Sequence, residues 1–347
     1  MLRRTFGIAA ATTLAAAALT ACSTGSTETD SADTVGTGSS ASAGAQASAF
    51  PVTIDNANFG AVTIDKQPTR VAALGSQDGD NLLALGIVPV GVTKITWGGD
   101  GKGSTPWFED KLAELGGTMP AQYDDSDSVP IDEIAKVAPD LILATNYSLT
   151  KQQYSQLSKI APVIAYPGAP WTTSWQDSLT LDAKALGLES QGQQVLARTE
   201  QDVADAKAAN PELAGKTFIW GALETTDLSS VSYYTPEDGR PEFLTSLGMV
   251  NAPIIEKLSK KGQFYGTVSA ERYADLRSDV FLTYGEKAAD AQTFSNDKLI
   301  GQIPAIKAGH LATFLADATA LAGSSPDVLA IPYAIDHFVP KVVEALQ

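Results

Sequence analysis

The stretch that decides the fold is DEIAKVAPDLIL, residues 132–143, in which a short helical pattern with an acidic start leads into a buried apolar strand. The same arrangement recurs at the same spacing in ERYADLRSDVFL, residues 271–282. Units of this kind build parallel sheets that are covered by helices on both faces. One unit in each half of the chain supports an architecture of two similar halves.

Other short apolar runs alternate with helical patterns such as Lys151–Ile160. The predicted strands are Val71–Leu74, Leu141–Ala144, Val163–Tyr166, Phe218–Trp220 and Val280–Leu282. Roughly 300 residues follow Phe50, which is more than one ordinary domain. We therefore predict an α/β fold of two lobes, each with a central, mostly parallel sheet flanked by helices.

A stretch without strand character separates the two halves. Ser190 followed by Gln193 is a plausible capping box for a helix that ends at Asn210-Pro211. On this helix Val195, Leu196, Thr199, Val203 and Ala206 share one face. We predict an N-terminal lobe over residues 50–172, a bridging helical segment over 173–210 and a C-terminal lobe over 211–347, with the ligand cleft between the lobes.

The N-terminus has the features of an export signal. Arg3 and Arg4 precede an apolar run, Phe6–Leu19, that is too short to span a bilayer. The run ends in Leu19-Thr20-Ala21-Cys22, which resembles the bacterial lipobox and contains the only cysteine of the chain. We expect residues 1–22 to be a lipoprotein signal peptide, with lipid on Cys22 holding the protein on the outer face of the cell membrane. Residues 23–49 are small and polar and are predicted to be a disordered linker.

The chain is acidic, with 24 basic and 40 acidic residues and a net charge of −16. Loss of Arg3 and Arg4 with the signal leaves 22 basic residues and a net charge of −18. This charge argues against nucleic acid as a partner. It is compatible with an anionic ligand, because the local field of a cleft can oppose the global charge, and equally with a neutral or cationic hydroxamate chelate.

Five phrases, in order, resemble the iron siderophore and cobalamin family of ABC-transporter binding proteins. They are QPTRV at 67–71, LLALGIVPVG at 82–91, IAKVAPDLI at 134–142, LSKIAPV at 157–163, and GHL at 309–311 with IPYAID at 331–336. The resemblance implies two lobes bridged by one long helix, a ferric siderophore as ligand, no catalytic cofactor, and delivery of the ligand to a membrane permease. It also implies a monomeric binding protein rather than an enzyme.

Candidate ligand contacts follow from the chemistry of ferric siderophores, whose flat arms suit aromatic faces and guanidinium donors. We expect these groups at strand ends and in the loops that follow. The candidates are Trp97, Trp107, Tyr147, Trp220, Tyr233, Tyr234, Arg240 and Tyr284. Tyr234 ranks first, because Ser232–Pro236 resembles the family position that presents an aromatic ring to a catecholate.

Two carboxylates match the family's permease-docking positions, one on each lobe. They are Asp132, where the family more often has Glu, and Glu242. Each is predicted at the start of a helix, where a carboxylate also favours the helix dipole.

Functions other than siderophore capture find less support in the sequence. Only His310 and His337 are present, which speaks against a zinc site and leaves no direct metal ligands predicted. Haem with Tyr234 or His310 as axial ligand, or cobalamin, remains an alternative within the family. A secreted hydrolase is a remote alternative, because no Gly-x-Ser-x-Gly motif occurs.

Overall fold

A computed structural model describes residues 49–56, 58–224 and 228–347. The predicted signal peptide, Cys22 and the linker up to residue 48 lie outside these residues. The N-terminal half contains a hairpin and a five-stranded sheet with its helices. Its elements are β1 (Val52–Asp55), β2 (Ala61–Ile64), β3 (Val71–Ala73), α1 (Ser76–Ala84), β4 (Gly91–Thr93), α2 (Pro106–Glu114), β5 (Ala121–Tyr123), α3 (Ile131–Lys136), β6 (Leu141–Ala144), α4 (Lys151–Leu157), β7 (Val163–Ala165) and α5 (Trp175–Ala185).

The second half follows a long helix, α6 (Glu189–Ala209), and contains a six-stranded sheet. Its strands are β8 (Thr217–Ala222), β9 (Ser230–Tyr234), β10 (Val250–Asn251), β11 (Tyr265–Ser269), β12 (Val280–Gly285) and β13 (Leu311–Leu315). Its α-helices are α7 (Gly239–Ser246), α8 (Pro253–Leu258), α9 (Asp290–Asn296), α10 (Pro304–Ala308), α11 (Ala318–Ser324), α12 (Ala330–His337) and α13 (Val339–Ala345). Short 3-10 turns lie at Pro211–Leu213, Ala270–Asp275 and Ile300–Gln302.

In both sheets the strand that comes first in the chain lies in the middle, β3 in one and β8 in the other. The N-terminal sheet has the order β5-β4-β3-β6-β7 and is entirely parallel. The C-terminal sheet has the order β11-β9-β8-β12-β13, in which β8, β12 and β13 are parallel and β9 and β11 are antiparallel additions. The predicted fold class, two α/β lobes joined by one long helix, is confirmed.

The repeat seen in the sequence has a structural counterpart. The Asp140 carboxylate accepts hydrogen bonds from the backbone N–H groups of Thr69 (2.9 Å) and Arg70 (2.8 Å), at the start of β3. Asp279 likewise accepts from the backbone N–H and the hydroxyl of Thr217, both at 2.7 Å, at the start of β8. Each Asp therefore ties its own strand to the central strand of its sheet. The helix predicted at 271 is a 3-10 turn instead.

The bridging helix differs from its prediction at one end. It begins at Glu189 after Leu188, which makes no side-chain cap, so Ser190 lies inside the helix and the predicted capping box does not form. The predicted face is otherwise observed, since Thr199, Val203 and Ala206 are buried. Helix α12 of the second half packs against this helix, so the C-terminal end of the chain helps to hold the lobes together.

Candidate functional site

A cavity lies where the two lobes face each other, at the carboxyl ends of their central strands. On the N-terminal side, Ser76 follows β3 and Asn146 follows β6. These two strands are neighbours at the point where the strand order of the sheet reverses, which is where open α/β sheets bind ligands. On the C-terminal side, Arg240 lies in the first turn of α7 and Ser324 ends α11.

The cavity wall is aromatic and polar. Trp97 and Trp171 stand at its rim and are 40% and 37% exposed. Its volume is about 170 Å³, below the ~300–1,000 Å³ that is usual for ligand pockets. A chelate-sized ligand would therefore extend past the cavity onto the two exposed indoles.

The two lobes touch at the base of this cavity. The hydroxyls of Ser76 and Ser325 are 3.2 Å apart, and Gln77 Nε2 donates to the carbonyl of Pro326 at 3.0 Å. Gly98 has φ +72°, and a Cβ there would lie 2.7 Å from Leu321 Cβ on α11. Only glycine allows the Trp97 loop to approach the second lobe this closely.

Arg240 is the one cation among the described residues that line the cavity, and its orientation is fixed. Its Nη1 donates to both carboxylate oxygens of Asp238, at 2.8 and 3.0 Å, and its Nε donates to the Tyr284 hydroxyl at 2.9 Å. Its guanidinium carbon lies 4.0 Å from the centre of the Tyr234 ring. Nη2 donates no hydrogen bond within the described chain, so it can donate to a ligand oxygen.

Three tyrosine side chains pack behind the residues that line the cavity: Tyr284 and Tyr234 contact Arg240, and Tyr147 contacts Trp171. The Tyr284 hydroxyl lies 2.8 Å from Ser324 Oγ, and the Trp97 ring meets the Tyr284 ring edge-on at 5.3 Å. Burial raises the pKa of Tyr234, so its hydroxyl stays neutral. Tyr147 lies behind Trp171, with ring centres 5.3 Å apart, and donates to Asp125 at 2.8 Å.

Of the predicted ligand contacts, Trp97 and Arg240 line the cavity, while Tyr234, Tyr284 and Tyr147 lie directly behind its lining. Whether each of them contacts a ligand stays a prediction.

Three other predicted ligand contacts, Trp107, Trp220 and Tyr233, do not line the cavity. Trp220 is 1% exposed and stacks on Phe338, because β8 is a central strand covered on both faces. Tyr233 lies within strand β9, not in a loop, and side chains alternate along a strand, so it packs into the core while Tyr234 faces Arg240. Trp107 is in α2 and donates to buried Asp80 at 2.7 Å, away from the cavity.

Sequence reasoning missed part of the lining, namely Gln77, Asn146, Trp171, Ser324 and Ser325. Trp171 follows the carboxyl end of β7, so the strand-end rule that selected Trp97 and Tyr147 also applies to it. It has a left-handed backbone with φ +63°, which is strained for a large side chain. The polar residues gave no signal, because serine and amide side chains are common in every loop.

Two buried carboxyls, Asp80 of the N-terminal lobe and Asp327 of the C-terminal lobe, lie next to each other where the lobes meet. Burial raises the pKa of Asp80 on α1 well above its usual range, and the adjacent Asp327 of the second lobe raises it further. Burial also raises the pKa of Asp327 to about 6. Asp327 Oδ1 accepts from the backbone N–H groups of Leu329 and Ala330, both at 2.9 Å. A proton on Asp80 therefore allows two carboxyls to face each other without repulsion.

A second buried pair lies within the N-terminal lobe. Burial raises the pKa of Asp78 on α1 to about 7, although Thr145 donates to it from its backbone N–H (3.1 Å) and its hydroxyl. Burial and the charge of Asp78 raise the pKa of Asp182 on α5, which accepts from Asn81 at 2.8 Å.

The two candidate docking carboxylates lie in the first turns of α3 and α7. Asp132 is exposed and makes no capping hydrogen bond. Glu242 is half-buried, and Asp238 rather than Glu242 caps its helix. Burial raises the pKa of Glu242 to about 7, with further contributions from Asp177 and Asp238.

The two histidines lie outside the cavity. His310 Nδ1 is 3.0 Å from the carbonyl of Ala345. His310 lies just before the start of β13, at the amino end of the strand, and does not line the cavity. His337 packs on Tyr333, with ring centres 4.1 Å apart. Among the described residues, no group of three or more histidine, cysteine or acidic side chains is placed to hold a metal ion.

A larger groove, about 630 Å³, lies in the second lobe near Arg277 and Lys307. These residues precede β12 and β13, so the groove is at the amino ends of the strands. The smaller cavity between the lobes is the better ligand site, because it lies at the carboxyl ends and combines residues of both lobes.

Two α/β lobes, one bridging helix and a polar, aromatic cavity between the lobes define a ligand-capturing protein of the helix-bridged class. The chain belongs to the periplasmic binding protein family, whose model matches residues 71–318. It is 30% identical over 258 residues to the probable siderophore-binding lipoprotein YfiY of Bacillus subtilis strain 168, covering 71% of this chain and 75% of the relative. It is 27% identical over 256 residues to the Fe(3+)-citrate-binding protein YfmC of the same organism, covering 73% and 75%.

A solved structure is similar over most of the chain. PiaA of Streptococcus pneumoniae TIGR4 in complex with ferrichrome superposes with a TM-score of 0.81 at 35% identity, covering 85% of this chain and 98% of PiaA. The family resemblance predicted from the sequence is confirmed. No helix within the described ranges is both long and apolar enough to cross a membrane.

Proposed function

We propose that this protein captures a ferric siderophore in the cavity between its lobes, outside the cell, and delivers it to the permease of an ABC importer. The observation that carries the proposal is the fixed guanidinium of Arg240, which lines the same cavity as two exposed indoles, Trp97 and Trp171. Flat chelate arms can stack on the indoles while Arg240 donates to a chelate oxygen. The siderophore-related names of the relatives and the ferrichrome bound to PiaA support this ligand class.

Equilibrium dialysis tests the ligand class. The purified protein should retain an iron-loaded siderophore with submicromolar affinity and bind its iron-free form far more weakly, because iron holds the chelate arms in one arrangement whereas the free arms must be ordered on binding. Ferrichrome, a ferric tris-catecholate, ferric citrate, haem and cobalamin are compared under one set of conditions. Binding of haem or cobalamin alone would overturn the siderophore assignment, and binding of none of them would overturn capture itself.

The membrane location rests on Cys22. Replacing Cys22 with Ser removes the thiol that would carry lipid, and we expect the protein to move from the membrane fraction into the medium. Immunoblots of the two fractions measure this, with Ser23→Ala as the neighbouring control. Retention of Cys22→Ser on the membrane would contradict lipid anchoring.

Docking on the permease is assigned to Asp132 and Glu242. Replacing both with Ala should leave siderophore affinity within about threefold, since neither residue lines the cavity. Uptake of radioactive iron by cells should fall more than about tenfold, which corresponds to the loss of one or two charge pairs with the permease. Glu189→Ala, which removes another exposed first-turn carboxylate, is the control. Normal uptake by the double variant would show that docking uses other residues.

A further inference from the structure

Asp238 is held in one position by its own helix. It is the N-cap of α7 and accepts from the backbone N–H of Arg240 at 2.9 Å. Its side chain is almost fully buried, and burial raises its pKa while the charge of Arg240 opposes the rise. The carboxylate cannot turn away to solvent, so it stays against the guanidinium.

This contact cancels the positive charge of the cavity. Arg240 Nη1 reaches both oxygens of Asp238, the closer at 2.8 Å. The remaining described residues that line the cavity are glycine, serine, leucine, glutamine, asparagine and tryptophan, all of them neutral. The lining therefore has no net formal charge, although it retains a guanidinium donor in Nη2.

Ferric chelates differ in charge according to their arms. Three hydroxamates each bring a single negative charge and neutralise Fe(III), so the chelate is neutral. Three catecholates each bring two negative charges, so their Fe(III) chelate is a trianion. A trianion that enters a partly dehydrated site needs uncompensated cations, because each unpaired charge is costly to remove from water.

We propose that Asp238 determines the charge selectivity of the cavity: by neutralising Arg240 it makes the cavity retain an uncharged ferric tris-hydroxamate and reject a ferric tris-catecholate. This inference rests on the proposed function. Arg240 then acts as a hydrogen-bond donor without net attraction for anions. The acidic net charge of the chain, −16, adds long-range repulsion of a trianion.

Asp238→Asn tests the assignment, because asparagine keeps the size and the capping oxygen and removes the charge. Dissociation constants are measured for ferrichrome and for a ferric tris-catecholate at one ionic strength. The wild-type protein should prefer ferrichrome, and the variant should shift the ratio of the two affinities about tenfold toward the trianion, a change worth ~1.4 kcal/mol. Asp297→Asn, which removes a carboxylate that accepts from the backbone N–H groups of Leu299 and Ile300 outside the cavity, should shift the ratio less than about twofold.

A second variant keeps the test decisive should Asp238→Asn fold poorly. Asn146→Lys adds a cation to the cavity and leaves Asp238 in place, and it should shift the ratio in the same direction. The proposal is overturned if wild-type protein prefers the tris-catecholate, or if every folded variant keeps the wild-type ratio. Failure of the wild-type protein to bind any ferric siderophore, ferric citrate included, would instead overturn the proposed function.

Discussion

Replacing Arg240 with Ala should lower the free energy of unfolding by about 3–5 kcal/mol, the usual cost of leaving one partner of a buried ion pair unpaired. Asp238 loses both contacts with Nη1 while it remains buried. Tyr284 also loses the donor to its hydroxyl. Denaturant unfolding at pH 7.5 measures the change.

The double variant Arg240→Ala with Asp238→Asn separates this cause from simple loss of packing. A neutral amide at 238 needs no counter-charge, so the double variant should regain most of the lost stability. Its siderophore affinity should stay reduced by about tenfold to a hundredfold, because a charge-assisted donor to the ligand is missing. If the double variant is as unstable as Arg240→Ala, the ion pair is not what the substitution disturbs.

The free energy of unfolding should fall by about 2–4 kcal/mol between pH 5.5 and pH 8, because buried carboxyls of the folded chain keep protons that the unfolded chain releases. The pKa of Asp78 is raised to about 7 and that of Asp327 to about 6, whereas an unfolded Asp titrates near pH ~3.9. Between these values the folded chain holds protons that the unfolded chain has released. The stabilising contribution is therefore complete below pH ~4 and is lost as the pH rises through about 6 to 7.

Asp78→Asn removes one of the buried carboxyls that cause this pH dependence. The amide oxygen can still accept from Thr145, and the group no longer ionises, so stability should decline less steeply with pH. Asp110→Asn removes an exposed carboxylate of α2 and should keep the wild-type slope. Denaturation curves at several pH values give the slopes, and equal slopes for Asp78→Asn and wild-type protein would contradict a protonated Asp78.

The strands could be predicted from the sequence because they are buried on both faces and are therefore continuous apolar runs. Leu141–Ala144 and Val280–Leu282 show this pattern, and each begins next to the aspartate that anchors it. The position of the cleft followed from the same strands, since ligand sites of such sheets lie beyond their carboxyl ends.

The orientation of single side chains could not be predicted in the same way. Tyr233 and Tyr234 look equivalent in the sequence, and only their place in strand β9 sends one to the core and the other to Arg240. Trp220 looked like the end of a strand, but β8 continues to Ala222.

The burial of helix α1 could not be predicted from the sequence either. Its residues Gln77, Asp78, Asp80 and Asn81 have the composition of a surface helix, yet all four are buried. Their surroundings come from α5, α2 and the second lobe, which are distant in the chain. Local patterns carry no information about contacts at such separations.

The central claim, ligand capture between the lobes, is tested most directly by tryptophan fluorescence during titration with ferrichrome. Trp97 and Trp171 are exposed at the cavity, whereas Trp107, Trp175 and Trp220 are buried. The wild-type protein should show saturable quenching with submicromolar affinity, and Trp97→Phe with Trp171→Phe should remove most of it. Quenching of unchanged amplitude in the double variant would place the ligand elsewhere, and the absence of saturable quenching by any ferric siderophore would contradict the account.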